Sequence, residues 1–434
     1  MAGIKPVFVT ERKEVFMREW MKAAVAGVLV VAGCGGQGAT WGGTVTDSAG
    51  IQIVSNPTTG LWTDATRPTV TEVWRIGTQA GDPALQFGAI SSLDVGADGR
   101  IYVLDTQARE VRVFDPSGQH LHNIGAPGTG PGELGQALVA VMLTPGDTVL
   151  VPDIMQQRVN RYAPDGTSVD QFPIPFDAGI PMRWEQTPDR RIVQQVRIMT
   201  LPGQQQPGTT PVDPIDRLLV RDYNGTLTDT LMSFDSGETF NFAGDNPQIR
   251  LFEPEPMWSI GLDGTVFFGM NSEFSIEMRN QNGEPVRIVR LPFELKPVTD
   301  ADETTFRDMM QELFAAQGVP PQALSQLTSM IQFAEFYPAY ANLMGGPDNT
   351  MWVQRVRTAS EAAASGESFD PQQGDSGSKT WDVFDGEGRY LGALDLPARF
   401  QPMHVAGNAI YGVGRDDLDV QYVVKLQLDG FSAT

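Results

Sequence analysis

Ten polar residues stand at matching places in a chain that elsewhere alternates apolar and polar side chains. Asp105, Asp153, Arg197, Asn271, Arg355, Arg357 and Arg415 close short strand-like runs, and Glu253, Glu255 and His404 open others. Arginine presents a planar fork of donors that grips a carboxylate or phosphate through two parallel hydrogen bonds. Arginines set among carboxylates therefore suit an anionic or zwitterionic ligand. The same residue types equally suit ion pairs between neighbouring elements, and spacing alone does not choose.

Other chemistries leave less trace. The chain has three histidines, His120, His122 and His404, and the first two share one run. A zinc site built from converging imidazoles is therefore not expected. Calcium needs only oxygen donors from Asp, Asn and Glu, so it stays open as a cofactor. Asp416, Asp417 and Asp419 lack the glycine and closing glutamate of a calcium loop and read as a solvated turn. Ser376 and Lys379 match a Ser-x-x-Lys pattern, but no helical run surrounds them to position a nucleophile. No Gly-x-Ser-x-Gly, His-Glu-x-x-His or phosphate-cradling loop occurs.

The charge balance narrows the partners. With 53 acidic and 31 basic residues the formal net charge is −22, and no Lys/Arg cluster forms a basic stripe. Nucleic acid, which requires such a stripe, is excluded as a partner. The 41% hydrophobic content is enough to bury a core, and 46 glycines and 31 prolines recur at intervals that suit many tight turns.

Residues 21–32, MKAAVAGVLVVA, form an apolar run after Arg18 and Lys22. Such a run is shorter than the about twenty residues of a bilayer span and fits a signal peptide. It ends in Val31-Ala32-Gly33-Cys34, which resembles the lipobox of bacterial lipoproteins. The resemblance implies cleavage before Cys34 and a diacylglyceryl group on its thiol, anchoring the protein to a membrane. Gly35 follows, with no Asp to act as an inner-membrane retention signal. The resemblance then points to the cell envelope, at the outer membrane facing the periplasm. Cys34 is the only cysteine, so no disulfide forms within one chain. Glu11, Glu14 and Glu19 are unusual before a signal peptide, so Met17 or Met21 is a better expected start than Met1.

The elements that position the polar residues come from a repeat. Residues 96–125 read GADGRIYVLDTQAREVRVFDPSGQHLHNIG: a turn, an alternating strand, a loop, a second strand, a glycine turn and a third strand. The pattern returns at 145–174 and 262–293, in diluted form at 188–234 and 347–397, and incompletely at 407–430. An apolar strand precedes each copy, as at 90–95, 138–143, 257–260 and 403–405, giving the four strands of a propeller blade. The last copy lacks its fourth strand. Residues 71–77, TEVWRIG, are similar to the fourth strand HLHNIG at 120–125, and both lead into similar linkers. The expected fold is an all-β, six-bladed β-propeller over 71–430, closed by its N-terminal strand, with 1–34 a signal peptide and 35–70 a leader.

Gly-x-Gly-Pro-Gly-Glu-Leu at 128–134, with the Val-Leu-Asp and Val-Pro-Asp strand ends and Asp-Gly hairpins, resembles the NHL-type six-bladed propellers. Residues 47–62, DSAGIQIVSNPTTGLW, resemble the leaders of six-bladed propeller lipoproteins from bacterial envelopes. The likeness implies fold and leaves function open, since propellers host enzymes and scaffolds alike.

The long excursions, 199–214, 235–252, 298–338 and 359–378, all fall on connections that lie on one face of a propeller, its top. Loops on a rigid scaffold carry function, so the top is the expected functional face. In 298–338, Thr299 or Asp300 can cap a helix whose Phe306, Met309, Met310, Leu313 and Phe314 share one side. Gly318 ends it, and Pro320-Pro321 start a second helix whose stripe is Leu324, Leu327, Met330, Ile331 and Ala334. This hairpin suits packing on the blades, or a lid or docking surface. The functional expectation is a non-enzymatic envelope lipoprotein binding a small-molecule ligand or a partner protein by its top face. The alternative is a divalent-metal-dependent, lactonase-like hydrolase or lyase with carboxylates in the central channel.

Overall fold

The computed structural model describes residues 40–174, 176, 178–198, 214–237, 240–241, 248–316, 318–365 and 377–432. The signal peptide, Cys34, Ser376 and most of two expected loops lie outside them.

Six four-stranded antiparallel sheets follow one another along the chain. Blade 1 is Ile90–Val95, Ile101–Asp105, Glu110–Phe114 and His120–Ile124, from the inner strand outward. Blade 2 runs from Met142–Leu143 to Ser168–Pro173, blade 3 from Ile180–Gln186 to Leu227–Asp235, and blade 4 from Pro256–Ile260 to Pro285–Arg290. Blade 5 runs from Asn342–Gly345 to Tyr390–Asp395. Blade 6 supplies Phe400–Ala406, Ala409–Arg415 and Gln421–Asp429, and its outer strand is Thr69–Ile76. That strand pairs antiparallel with the last one, Trp74 opposite Lys425 and Arg75 opposite Val424. The ring is therefore closed by its own N-terminal strand, as the sequence predicts.

Burial explains the repeat pattern. The second strand of blade 1, Ile101–Asp105, is buried at every position because neighbouring blades cover both faces. The outer strand His120–Ile124 alternates, because only one side meets a neighbour. Six apolar clusters hold the ring, one at each interface between blades. The blade 1–2 cluster includes Tyr102, Leu104, Leu143 and Tyr162, and the blade 3–4 cluster includes Val193, Leu218, Trp258 and Ile260. In the outer hairpin of blade 1, Asp115 accepts hydrogen bonds from the main-chain N–H groups of Ser117 and Gln119, and Gly118 takes φ 90°. A left-handed residue there favours glycine.

The leader is more than a linker. Thr44–Ser48 and Ile51–Ser55 form a hairpin that adds to the outer edge of blade 4, Ile51–Ser55 lying parallel to Pro285–Arg290. Asn56 then uses its full hydrogen-bonding capacity. Its Nδ2 donates to the carbonyls of Arg290 and Gly388, and its Oδ1 accepts from Tyr390 N–H and the Trp41 indole. Leu61 and Trp62 donate their N–H groups to Tyr390 and Leu391 of blade 5, and the Trp62 ring packs edge-on to Phe431. The segment thus straps blades 4 and 5 before it completes blade 6.

The insertions converge. Phe240–Asn241, Gln248–Leu251 and Ile331–Phe333 make a three-stranded sheet, in which Ile331–Phe333 runs parallel to its neighbour. Helices α1 (Asp300–Ala316), α2 (Pro321–Ser329) and α3 (Ala359–Ser365) complete a cap. Ile331 was expected on the second helix. It leaves that helix because the Gln248–Leu251 edge offers a main-chain ladder, a partner some eighty residues away that local periodicity does not register.

Candidate functional site

The cap stands on one joint. Phe306, Ile331, Ala359 and Ala362 form its buried core, with Met309, Met310, Phe252 and Phe333 packed around them. The hairpin stripe therefore packs chiefly against the other insertions. Thr299 caps α1, donating its hydroxyl to Asp302 and accepting from Asp302 N–H. Asp302, 3% exposed, also accepts from Ser360 N–H at the start of α3 at 2.9 Å. Burial alone would raise this carboxyl's pKa, but hydrogen bonds from Ser360 and Thr299 outweigh it and hold it down to about 2. Lys296 bonds both Glu361 oxygens, at 2.8 and 2.9 Å. Phe252 and Tyr337 stack with ring centroids 4.4 Å apart, and Phe252 has a left-handed φ of 63°. From Phe252 the chain runs through Glu253 and Glu255 directly into the inner strand of blade 4.

Three of the polar residues predicted from sequence, Asp105, Asp153 and Asn271, tie blades to their links. Asp105 is fully buried and accepts from the N–H groups of Gly88, Ala89, Gln107 and Ala108, at 2.9 to 3.1 Å. Arg112 lies 3.2 Å from it and donates to the carbonyls of Pro83, Ala84 and Gln86. Blade 2 repeats the device. Asp153 accepts from Gly135 and Gln156 N–H, and Arg158 donates to the carbonyls of Gly130 and Glu133. Asn271 does the same in blade 4, accepting from Glu255 N–H at 2.6 Å and donating to Tyr340 O at 3.0 Å. In each of these three blades the link arriving from the previous blade is tied to the end of the second strand.

Arg197 and Arg355 remain partly exposed, but each is held from behind. Arg197 is bidentate to the buried Asp216, at 2.8 and 3.0 Å, and Arg355 to the buried Asp382, at 2.9 and 2.8 Å. Its hydrogen bonds to Asp382 raise the Arg355 pKa further. Arg357 is buried, Arg415 pairs with Asp419 at 3.1 Å, and Glu253 lies 3.9 Å from Arg250. Glu255 differs. Its carboxylate makes no hydrogen bond or ion pair among the described residues; crowding by neighbouring atoms raises its pKa, and the field of Arg197 opposes that rise. Glu255 and Arg197 are therefore two of the predicted residues that feel each other's charge with no hydrogen bond between them.

His404 corrects the sequence reading. Its strand begins at Phe400, so His404 sits towards the lower end of the ring, with Nδ1 3.4 Å from Asp94. Burial lowers its pKa; Asp94 opposes the shift and Arg190 adds to it. Arg190 reaches from a bottom turn of blade 3 to both Asp94 oxygens in blade 1, at 2.8 and 2.7 Å. Glu185 accepts from Ile260 N–H and bonds Arg183, while Gln186 bonds the Leu143 carbonyl. These residues lace blades 6, 1, 2, 3 and 4 across the lower ends of the inner strands. Sequence reasoning missed Asp94, Arg183, Glu185 and Arg190; the available signal was charge inside inner-strand runs, with the partners hidden by distance along the chain.

Among the described residues, no three of His, Cys, Asp and Glu converge in a way that could hold a metal ion. No helix among them is long and apolar enough to cross a membrane.

A family model described as a 6-bladed beta-propeller matches residues 84–173. No curated protein matches the chain. Among solved structures, a putative exported protein of Bacteroides fragilis is 12% identical, with 87% of this chain and 99% of that chain covered and a TM-score of 0.48. A member of the DUF4221 family from Bacteroides vulgatus is 10% identical, with coverage of 84% and 98% and a TM-score of 0.47. A catalytically inactive virginiamycin B lyase from Staphylococcus aureus is 10% identical, with coverage of 83% and 100% and a TM-score of 0.40. Likeness at this level says nothing of activity. The chain is a six-bladed β-propeller, and its first two blades are the part that matches that family's model.

Proposed function

We propose that this protein is an exported, lipid-anchored propeller of the bacterial envelope that binds a ligand or partner protein through its capped top face. The observation that carries the reading is the cap. Insertions from the blade 3–4 link, the blade 4–5 link and blade 5 build one small core above the ring, and its sheet feeds directly into the channel wall. The bottom turns are short by comparison. Glu255 and Arg197 at the foot of the cap offer both signs of charge to whatever enters. The lipobox at 31–34 supports anchoring at Cys34.

Photo-crosslinking residues installed at the exposed Gln311 and Gln322 of the cap, and at Ala97 and Asn282 in bottom turns, test the reading in intact cells. Discrete adducts should form from the cap positions, and palmitate labelling should vanish with Cys34→Ser. Adducts confined to the bottom turns would overturn the top-face reading.

A further inference from the structure

A cleft of about 440 Å³ opens on the rim of blade 4, and neither Glu255 nor the cap core lines it. Four segments wall it: the leader at Asn56, the blade 4 loop at Glu273 and Phe274, the end of the outer strand at Arg290, and the following link at Phe293 and Leu295. Phe274 is buried and forms a fixed floor, with the Phe293 ring centroid 6.2 Å from its own. Phe293 and Leu295 are 38% and 39% exposed, leaving apolar surface uncovered inside a concavity of ligand size. The Asn56 side chain is fully bonded to blades 4 and 5, so this wall is rigid and is supplied by the leader.

Two charges complete the cleft. Arg290 lies opposite Ser275 in the blade 4 ladder, and Glu273 is two residues from Ser275, so both stand at the same end of the sheet. Neither side chain has a hydrogen bond or ion pair among the described residues, whereas Arg279 and Arg287 of the same blade are both paired. A guanidinium, a carboxylate and an apolar shelf match a small molecule bearing a carboxylate, an ammonium and an apolar body.

We propose that the blade 4 rim cleft binds a zwitterion with an apolar side chain, an amino acid or short peptide with free ends. The carboxylate sits on Arg290, the ammonium on Glu273, and the side chain against Phe293 and Leu295. The proposal stands whether or not the cap binds a partner.

The probe is the dipeptide Leu-Phe, titrated calorimetrically into the full chain carrying Cys34→Ser, beside acetyl-Leu-Phe-amide, which keeps the apolar body and loses both charges. The free dipeptide should bind at least about tenfold more tightly than the capped one. Arg290→Gln and Phe293→Ala should each weaken it by about fivefold or more, while Arg67→Gln, an exposed arginine elsewhere on the leader, should leave it unchanged. Thermal melts of each variant separate loss of binding from loss of fold. No binding of the free dipeptide, equal binding of the capped one, or full affinity in an Arg290→Gln protein that melts like the parent would each overturn the proposal.

Discussion

Asp105 shows how one carboxylate can be mistaken for a ligand contact. It ends a buried strand, its oxygens face four main-chain N–H groups, and Arg112 stands beside it. Asp105→Ala leaves those buried donors unpaired and removes one of the two carboxylates beside the buried Arg112, Glu110 remaining at 2.9 Å. Leaving several buried donors without an acceptor costs about 3 to 5 kcal/mol in all. Urea denaturation should show that loss, whereas Asp98→Ala, in an exposed turn, should cost under about 1 kcal/mol. Equal losses would refute the structural role given to Asp105. The sequence placed Asp105 and Asp153 correctly at strand ends, because alternation and turns are local signals. It could not reveal that the incoming links would consume their oxygens, because Gly88 and Gly135 contribute N–H groups that every residue but proline possesses. Arg190 and Asp94 escaped for a related reason: they sit on different blades, and only the closed ring brings them within 2.7 Å.

At the scale of elements, the cap depends on a titrating joint. The Asp302 carboxyl, ordinarily near 3.8, is held down to about 2 in the folded protein. A depressed pKa stabilises the fold above the unfolded value and loses that contribution as pH falls through the folded one. The contribution, about 1 to 2 kcal/mol, should therefore be intact above about pH 5 and fade between about pH 4 and pH 2. Hydrogen exchange should show α1 amides losing protection across that window while blade 1 amides keep theirs. In Asp302→Asn, α1 should be weakened at neutral pH too. A cap whose protection tracks the blades at every pH would contradict this coupling. The helix start at Thr299 and the apolar side of α1 were readable from local spacing. The strand at Ile331–Phe333 and helix α3 were not, since both exist through contacts with the other insertions.

The whole molecule is a ring whose stability rests on closure. Six apolar clusters join six blades, and the sixth blade takes its outer strand from residues that precede the first. Closure removes the open sheet edges that would otherwise recruit other chains. The repeat and its missing strand were legible because each blade restates the same alternation and the same glycine turns. The strap across blades 4 and 5 was not, because Asn56 and Trp62 belong to no repeat and reach blades 4 and 5 through partners 234 residues away or more. The most direct test of closure is a cross-link between head and tail. Thr71 and Gln427 face each other in the ladder of blade 6. With both changed to cysteine in a Cys34→Ser background, mild oxidation should give a disulfide within one chain. Tying so long a loop should raise Tm by about 5 °C or more. Thiols that stay reduced, or bridges that form only between separate chains, would show that the two ends do not share a sheet.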